Sequence, residues 1–303
     1  MIQIKHIDLD GLAVKYYGKL DKFINQKNTK YDLNKINREL IRIFGKNLKQ
    51  IVISKPDDIR DLIKLAPKSF STDIEALKDL YKTFRDKWGV ELINDLDIEV
   101  CPFCNREYIF KFKDSIKSKK RIIATLDHYY DKDTYPFLAV SFFNIIPSCH
   151  ICNSKFKHTI NFYITQHLHP YEDDFNTKAK FTHFFKDKNE ENKSDALFSK
   201  KRILLNIESI DKNDQKTKNT IETFRLQDLY SEHKEIILEL IQKREIYSDS
   251  YIDELFKQYE GTLFKNREDL LRLITCGYIS DEEIGKRPLS KLIKDISQEL
   301  EFI

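Results

Sequence analysis

Glycine and proline are scarce in this sequence, with 7 of each among 303 residues. That scarcity excludes collagen-like and Pro/Gly-rich low-complexity architectures and favours a largely helical protein. Long apolar runs are missing too. Nothing approaches the roughly 18 consecutive apolar residues of a membrane span. The opening Met1-Ile2-Gln3-Ile4-Lys5 lacks a signal-peptide layout, so a cytoplasmic protein without a membrane role is expected. An excess of charge of one sign is also absent: 52 basic residues stand against 49 acidic ones, a net charge of +3. The molecule as a whole therefore offers nucleic acid no strong field, and only local patches can contact phosphate. What is present is 41% hydrophobic and 33% charged residues, enough apolar surface for a core and too much for a disordered chain.

The densest basic patch runs from Lys111 to Arg121, where Lys111, Lys113, Lys117, Lys119, Lys120 and Arg121 face a single acid, Asp114. It reads first as a solvated turn, with a phosphate contact as the alternative.

Cysteine is used sparingly, and its five positions do not suggest a disulfide framework in a chain without export signals. Four of them form two pairs, Cys101-Pro102-Phe103-Cys104 and Cys149-His150-Ile151-Cys152. A two-residue gap lets both thiolates of a turn reach one metal, and two such turns complete a tetrahedral zinc site. Redox chemistry is the alternative. Four thiolates leave no open coordination position, so such a zinc is structural and is not a catalytic metal. The fifth, Cys276, follows Leu273-Ile274-Thr275 and is expected on a buried helical face.

Length favours one extended domain or two small ones. Helical periodicity appears in Leu33-Ile36-Leu40-Ile43-Phe44 and in Ile74-Leu77-Leu80-Tyr81-Phe84, the latter with Ser71-Thr72-Asp73 as its expected cap. Alternation around Glu107–Phe112 places Tyr108, Phe110 and Phe112 on one face. A Lys-rich turn and an apolar strand, Arg121–Leu126, follow, predicting a hairpin that ends at Asp127-His128. After a connection through Val140 and the segment Phe142–Ser148, a short helix is expected from about His150 to His158. Phe181–Phe185 and Arg202–Ile207 read as a second strand pair, 186–193 as a polar mobile loop, and two or three amphipathic helices close the chain, beginning near Thr217 and including Ile236-Ile237-Leu240-Ile241.

Around the cysteines stand Asp127-His128, Asn144 and Asn153. Phosphodiester hydrolysis needs a nucleophilic water, a cation that stabilises developing charge, and in-line geometry. A neutral imidazole with a pKa near about 6.5 can act as the base, a role open to His128. Asp127 and Asn153 offer hard oxygen ligands that suit Mg²⁺ or Mn²⁺. Each has a plainer alternative: Asp127 as a turn cap, Asn144 as a loop closure, Asn153 as an exposed helix residue. Lys155 and Lys157 are weighed between phosphate contacts and solvated surface. His150 is expected at an exposed knuckle position, His167 and His169 in structural roles, and Trp88 and Phe142-Phe143 in packing.

In this order, Cys101-Pro102-Phe103-Cys104, Leu126-Asp127-His128, Phe143-Asn144-Ile145-Ile146-Pro147 and Cys149-His150-Ile151-Cys152-Asn153-Ser154-Lys155 resemble the HNH endonuclease family, whose ββα-metal core often carries a four-cysteine zinc. The resemblance spans about residues 99–160, roughly a fifth of the chain, and its specificity lies in the joint arrangement. It implies His128 as general base, Asp127 and Asn153 as ligands of one catalytic Mg²⁺ or Mn²⁺, and Asn144 as the residue that orients the base and ties its loop. Many members carry His where this chain has Asn153, which bears on metal preference.

The expected fold is α+β and mainly helical. A helical region over 1–98 precedes a zinc-stapled nuclease core over 99–175, followed by a mixed, then helical region over 176–303. The layout is similar to HNH effectors of bacterial anti-phage systems of the Septu and retron-associated kinds, which implies DNA as substrate and an ABC or SMC-like ATPase as partner. A catalytically silent zinc module that binds nucleic acid or a protein stands as the alternative function. So does a ribonuclease using the same residues.

Overall fold

The N-terminal helices begin where the sequence supplies an acceptor for the unpaired first-turn N–H groups. Asp8 caps α1 (Leu9–Ile24) by accepting from the Gly11 amide at 2.7 Å. Asp32 caps α2 (Leu33–Phe44) through the amides of Asn34 and Lys35. Asn47 and Gln50 form a reciprocal capping box on α3 (Leu48–Val52). α4 (Pro56–Lys64) opens on Pro56, where a missing N–H costs nothing, with Asp57 and Asp58 at the positive end of the helix dipole. α2 stops at Gly45, whose φ of +67° a side chain would strain.

This computed structural model describes residues 2–5, 8–26, 29–114, 119–122, 124–186 and 199–303, with the backbone alone for 111–114 and 119–122. Its contacts group the chain into two compact units, Gln3–Pro102 with Ile109–Asp173, and Phe103–Tyr108 with Asp174–Ile303 and Ile2. The fold is α+β and mainly helical, and its described strands form three two-stranded antiparallel sheets. Among the described residues no helix is long and apolar enough to cross a membrane.

In the first unit the predicted stripe of α2 buries Ile36, Leu40 and Phe44. The second predicted helix is divided into α5 (Thr72–Glu75) and α6 (Leu77–Asp95), joined at Ala76. Ser71 does precede the first turn, but its side chain makes no capping bond. Tyr16 packs tilted on Phe84 and edge-on to Phe142 in the core, and Trp88 packs on Phe23 and Phe84, so the aromatics serve packing as expected.

The strands depart from expectation. β1 (Lys111–Asp114) pairs with β2 (Lys119–Ile122), whereas β3 (Thr125–His128) pairs with β4 (Ile145–Ser148). The strand expected over Arg121–Leu126 thus contributes to two sheets, because Leu126 and Asp127 take Pro147 and Ile146 as partners, residues that local alternation cannot reveal. Tyr108 and Phe110 are exposed. Lys117 and the side chains of Phe112 and of the basic run lie outside the described residues, as does most of the loop expected over 186–193.

The second unit holds the expected strand pair, β5 (Ala179–Phe185) and β6 (Ile203–Ser209), in antiparallel register with Phe181 opposite Ile207. Six helices of at least six residues follow where two or three are expected, because turns break the amphipathic stretch into short pieces: Gln215–Thr223, Leu226–Ser231, Lys234–Ile246, Asp249–Tyr259, Arg267–Thr275 and Ser290–Glu299. Cys276 corrects an expectation. It sits exposed at the left-handed C-cap of Arg267–Thr275, one residue beyond the helix whose Leu270, Leu271 and Ile274 form the core.

The helix Ser290–Glu299 is buried from Ser290 to Ser297. Its charged groups are paired inside: Lys291 meets Asp295 at 2.7 Å, and the other Asp295 oxygen accepts from the Phe181 amide, whereas the hydroxyls of Ser290 and Ser297 are buried without a hydrogen-bond partner. Leu289, left-handed at φ 66°, provides no side-chain cap. Asn105 supplies it from far upstream. Its Oδ1 accepts from the Lys291 amide at 3.0 Å, its Nδ2 donates to the Ile284 carbonyl at 3.0 Å, and its own carbonyl takes the Leu289 amide at 2.6 Å. Asn105 is fully buried at φ 51°, a left-handed conformation that Asn tolerates better than most residues. Asn105→Ala should lower the unfolding free energy by about 2–4 kcal/mol, since it strands two buried partners and strains the backbone. Asn105→Gly should recover only the backbone part. Denaturant titration of both variants checks this.

Candidate functional site

The four paired cysteines converge. Cys101, Cys104, Cys149 and Cys152 are all buried, and their Sγ atoms lie within 4.8 Å of one another. A tetrahedral ion with Zn–S bonds of about 2.3 Å sets its sulfurs roughly 3.8 Å apart, so small side-chain adjustments complete the site. Two backbone amides already face the sulfurs, Arg106 N–H to Cys104 Sγ and Cys152 N–H to Cys149 Sγ, each at 3.4 Å. The donor set is soft, closed and buried, which fits a structural metal such as zinc.

β4 runs directly into the second cysteine pair, and a wide π-helical segment, Ile151–Lys157, follows it. β3 lies antiparallel to β4, with His128 opposite Ile145 and Asp127 opposite Ile146. Strand, strand and helix therefore follow in order beside the cysteines. The π geometry is visible in the bond from the His158 amide to the Asn153 carbonyl, five residues back. Such wide turns recur at functional sites.

His128 closes β3 at 7% exposure, its ring edge-on to Tyr81 at 4.2 Å. Its Nε2 lies 2.9 Å from the Ala139 carbonyl. A carbonyl only accepts, so Nε2 carries the proton and the neutral ring keeps its lone pair on Nδ1. Burial, reinforced by Lys132 and Lys157, pushes the imidazole down to about 4, well below the unperturbed value that sequence reasoning assumes. Asn144, fully buried, secures the loop that brings Ala139 to this ring. Its Oδ1 accepts from the Tyr130 amide at 2.7 Å, and its Nδ2 donates to the carbonyls of Tyr130 and Leu138.

Asp127 is 3% exposed. Lys157 Nζ lies 3.2 Å from its Oδ1, while its Oδ2 is buried without a hydrogen-bond partner. Burial pushes this carboxyl up from the ordinary range and Lys157 opposes the shift.

No protein-family profile, characterised protein or solved structure matches this chain.

The contacts join Asp127, His128 and Lys157 directly, and Asn144 through the loop it closes. Asn153 is half-buried about one turn before Lys157 on the same segment. The two lysines weighed together as phosphate contacts part company. Lys155 is exposed, whereas Lys157, at 2% exposure, is engaged by Asp127 and the His128 carbonyl because that pairing offsets the cost of burying its charge. His150 is exposed, His167 stacks on Phe162 at 3.8 Å, and His169 accepts from the Tyr171 amide, as their expected roles require. Sequence reasoning missed Tyr81, whose hydroxyl holds the Leu126 carbonyl at 2.7 Å beside His128. It looks like an ordinary core residue of α6.

Elemental analysis of the purified protein should find one zinc per chain. Cys149→Ser and Cys101→Ser should lose the metal and fold poorly, because structural zinc contributes its binding energy to folding.

Proposed function

We propose that this chain is a metal-dependent endonuclease of the HNH type that hydrolyses phosphodiester bonds, DNA first among its substrates. The observation that carries the reading is the pairing of His128, fixed in the tautomer that leaves Nδ1 as acceptor, with Asp127, whose buried Oδ2 lacks a partner. A binding module has no use for such an oxygen, and an orphaned buried acceptor costs free energy unless something positive meets it. Asp127 Oδ2 and the amide oxygen of Asn153 are the groups that would hold a hard divalent ion, Mg²⁺ or Mn²⁺. That ion, when bound, supplies charge stabilisation for the phosphate and leaving oxygen. His128 takes the proton of the attacking water at Nδ1, Asn144 and Ala139 keep its ring in place, and the cysteine cluster fixes the strand and helix on which these groups stand. A role in anti-phage defence beside an ABC or SMC-like ATPase rests on the resemblance of the motif alone.

A second reading, a silent zinc module that binds nucleic acid or protein, draws support from the low exposure of His128 and from Lys157, which already neutralises Asp127. Incubation of the zinc-loaded protein with supercoiled plasmid, single-stranded DNA and RNA, each with Mg²⁺, Mn²⁺ or chelator, separates the readings. Cleavage dependent on added metal is expected, strongest on DNA. His128→Ala should reduce it by about 10²–10⁴-fold with zinc retained. Asp127→Ala and Asn153→Ala should lose cleavage and keep zinc. Undiminished cutting by His128→Ala, or full activity in chelator with zinc still bound, overturns the assignment.

A further inference from the structure

We propose that Lys157 is a positioning residue of this site: its ammonium locks the Asp127 carboxylate and the end of β3 so that Oδ2 alone is presented to the divalent ion. This rests on the nuclease reading above and deepens it. Lysine is rarely buried as fully as 2% exposure without a dedicated partner. Lys157 has two on consecutive residues, the His128 carbonyl at 2.7 Å and Asp127 Oδ1 at 3.2 Å, while the Phe162 ring centre lies 5.1 Å from Nζ. An ammonium has three N–H donors and no acceptor. One donor is directed at the strand that bears the base, one at the carboxylate, and the cation rests near an aromatic ring.

The consequence is an asymmetric carboxylate. Oδ1 is held by Lys157, and Oδ2 is buried with no hydrogen-bond partner. Asn153 begins the turn that ends at Lys157, so one helical segment carries both the second proposed ligand and the residue that orients the first. A hydrogen-bonding partner behind a metal ligand is worth about 10–100-fold in metal affinity or activity.

The test compares wild type with Lys157→Met and Lys157→Arg, all zinc-loaded, with fold checked by circular dichroism and zinc by elemental analysis. Two readouts are taken: Mn²⁺ binding followed by electron paramagnetic resonance without substrate, and the Mn²⁺ concentration that half-saturates plasmid cleavage. Lys157→Met should raise both Mn²⁺ constants by about 10–100-fold, and Lys157→Arg, which keeps charge and donors, should recover part of the loss. If Lys157→Met does not fold, Lys157→Gln replaces it with the same expected shift. Neutral variants with unchanged Mn²⁺ constants overturn the role of Lys157. So do variants that bind Mn²⁺ more tightly, which would make the ammonium a competitor for the site. In both cases wild-type cleavage leaves the nuclease reading standing. A wild type that neither binds Mn²⁺ nor cleaves overturns both.

Discussion

Four cysteine sulfurs gathered within 4.8 Å constrain everything around them. Four sulfurs so placed could hold a metal ion such as zinc. The geometry of the cluster propagates along the chain. β4 ends at Ser148 and the second pair begins at Cys149, so the direction in which β4 arrives is set by the cysteines. β3 follows through its ladder with β4, and His128 sits at the last rung, opposite Ile145. On the other side, Cys152 lies inside the π-helical segment that carries Asn153 and Lys157. A metal held by these cysteines would in this way bear on where His128, Asn153 and Lys157 stand.

Burying a polar site imposes a second constraint, that its donors and acceptors be matched. Most are. Asn144 uses both ends of its amide on the loop from Tyr130 to Leu138, and His128 spends Nε2 on Ala139. The same economy governs the other unit, where Asn105 caps a helix that Leu289 cannot cap and Asp295 satisfies both Lys291 and the Phe181 amide. Some buried atoms are left without a hydrogen-bond partner, the hydroxyls of Tyr16, Ser290 and Ser297 among them, and Asp127 Oδ2 is the carboxylate oxygen in that set.

Much of this was legible in the sequence because it depends on short-range chemistry. The cysteine spacing, the stripe of α2 and the alternation of β5 and β6 are local signals that burial preserves. The failures share a cause. The split of Arg121–Leu126 between two sheets, the capping by Asn105 of a helix 186 residues away and the burial of Lys157 all depend on partners distant in sequence. Composition alone makes Lys157 one more lysine in a lysine-rich chain. Cys276 was misplaced by one residue, the difference between the last buried turn and the left-handed cap that ends it.

The protonation state of His128 follows first from its burial, with Lys132 and Lys157 acting in the same direction. The ring is held away from water, where a neutral imidazole is less costly than a charged one. A proton on His128 would add a second positive charge beside Lys157 and would have to be accommodated with Nε2 already committed to Ala139. The ring is therefore kept ready to accept a proton at neutral pH, though with a lower proton affinity than an exposed histidine. A base of that kind contributes less through its own basicity. On the proposed nuclease reading most of the rate would come from how exactingly substrate, water and charge are placed. The density of hydrogen bonds that hold this ring, its loop and the adjoining carboxylate is consistent with that division of labour.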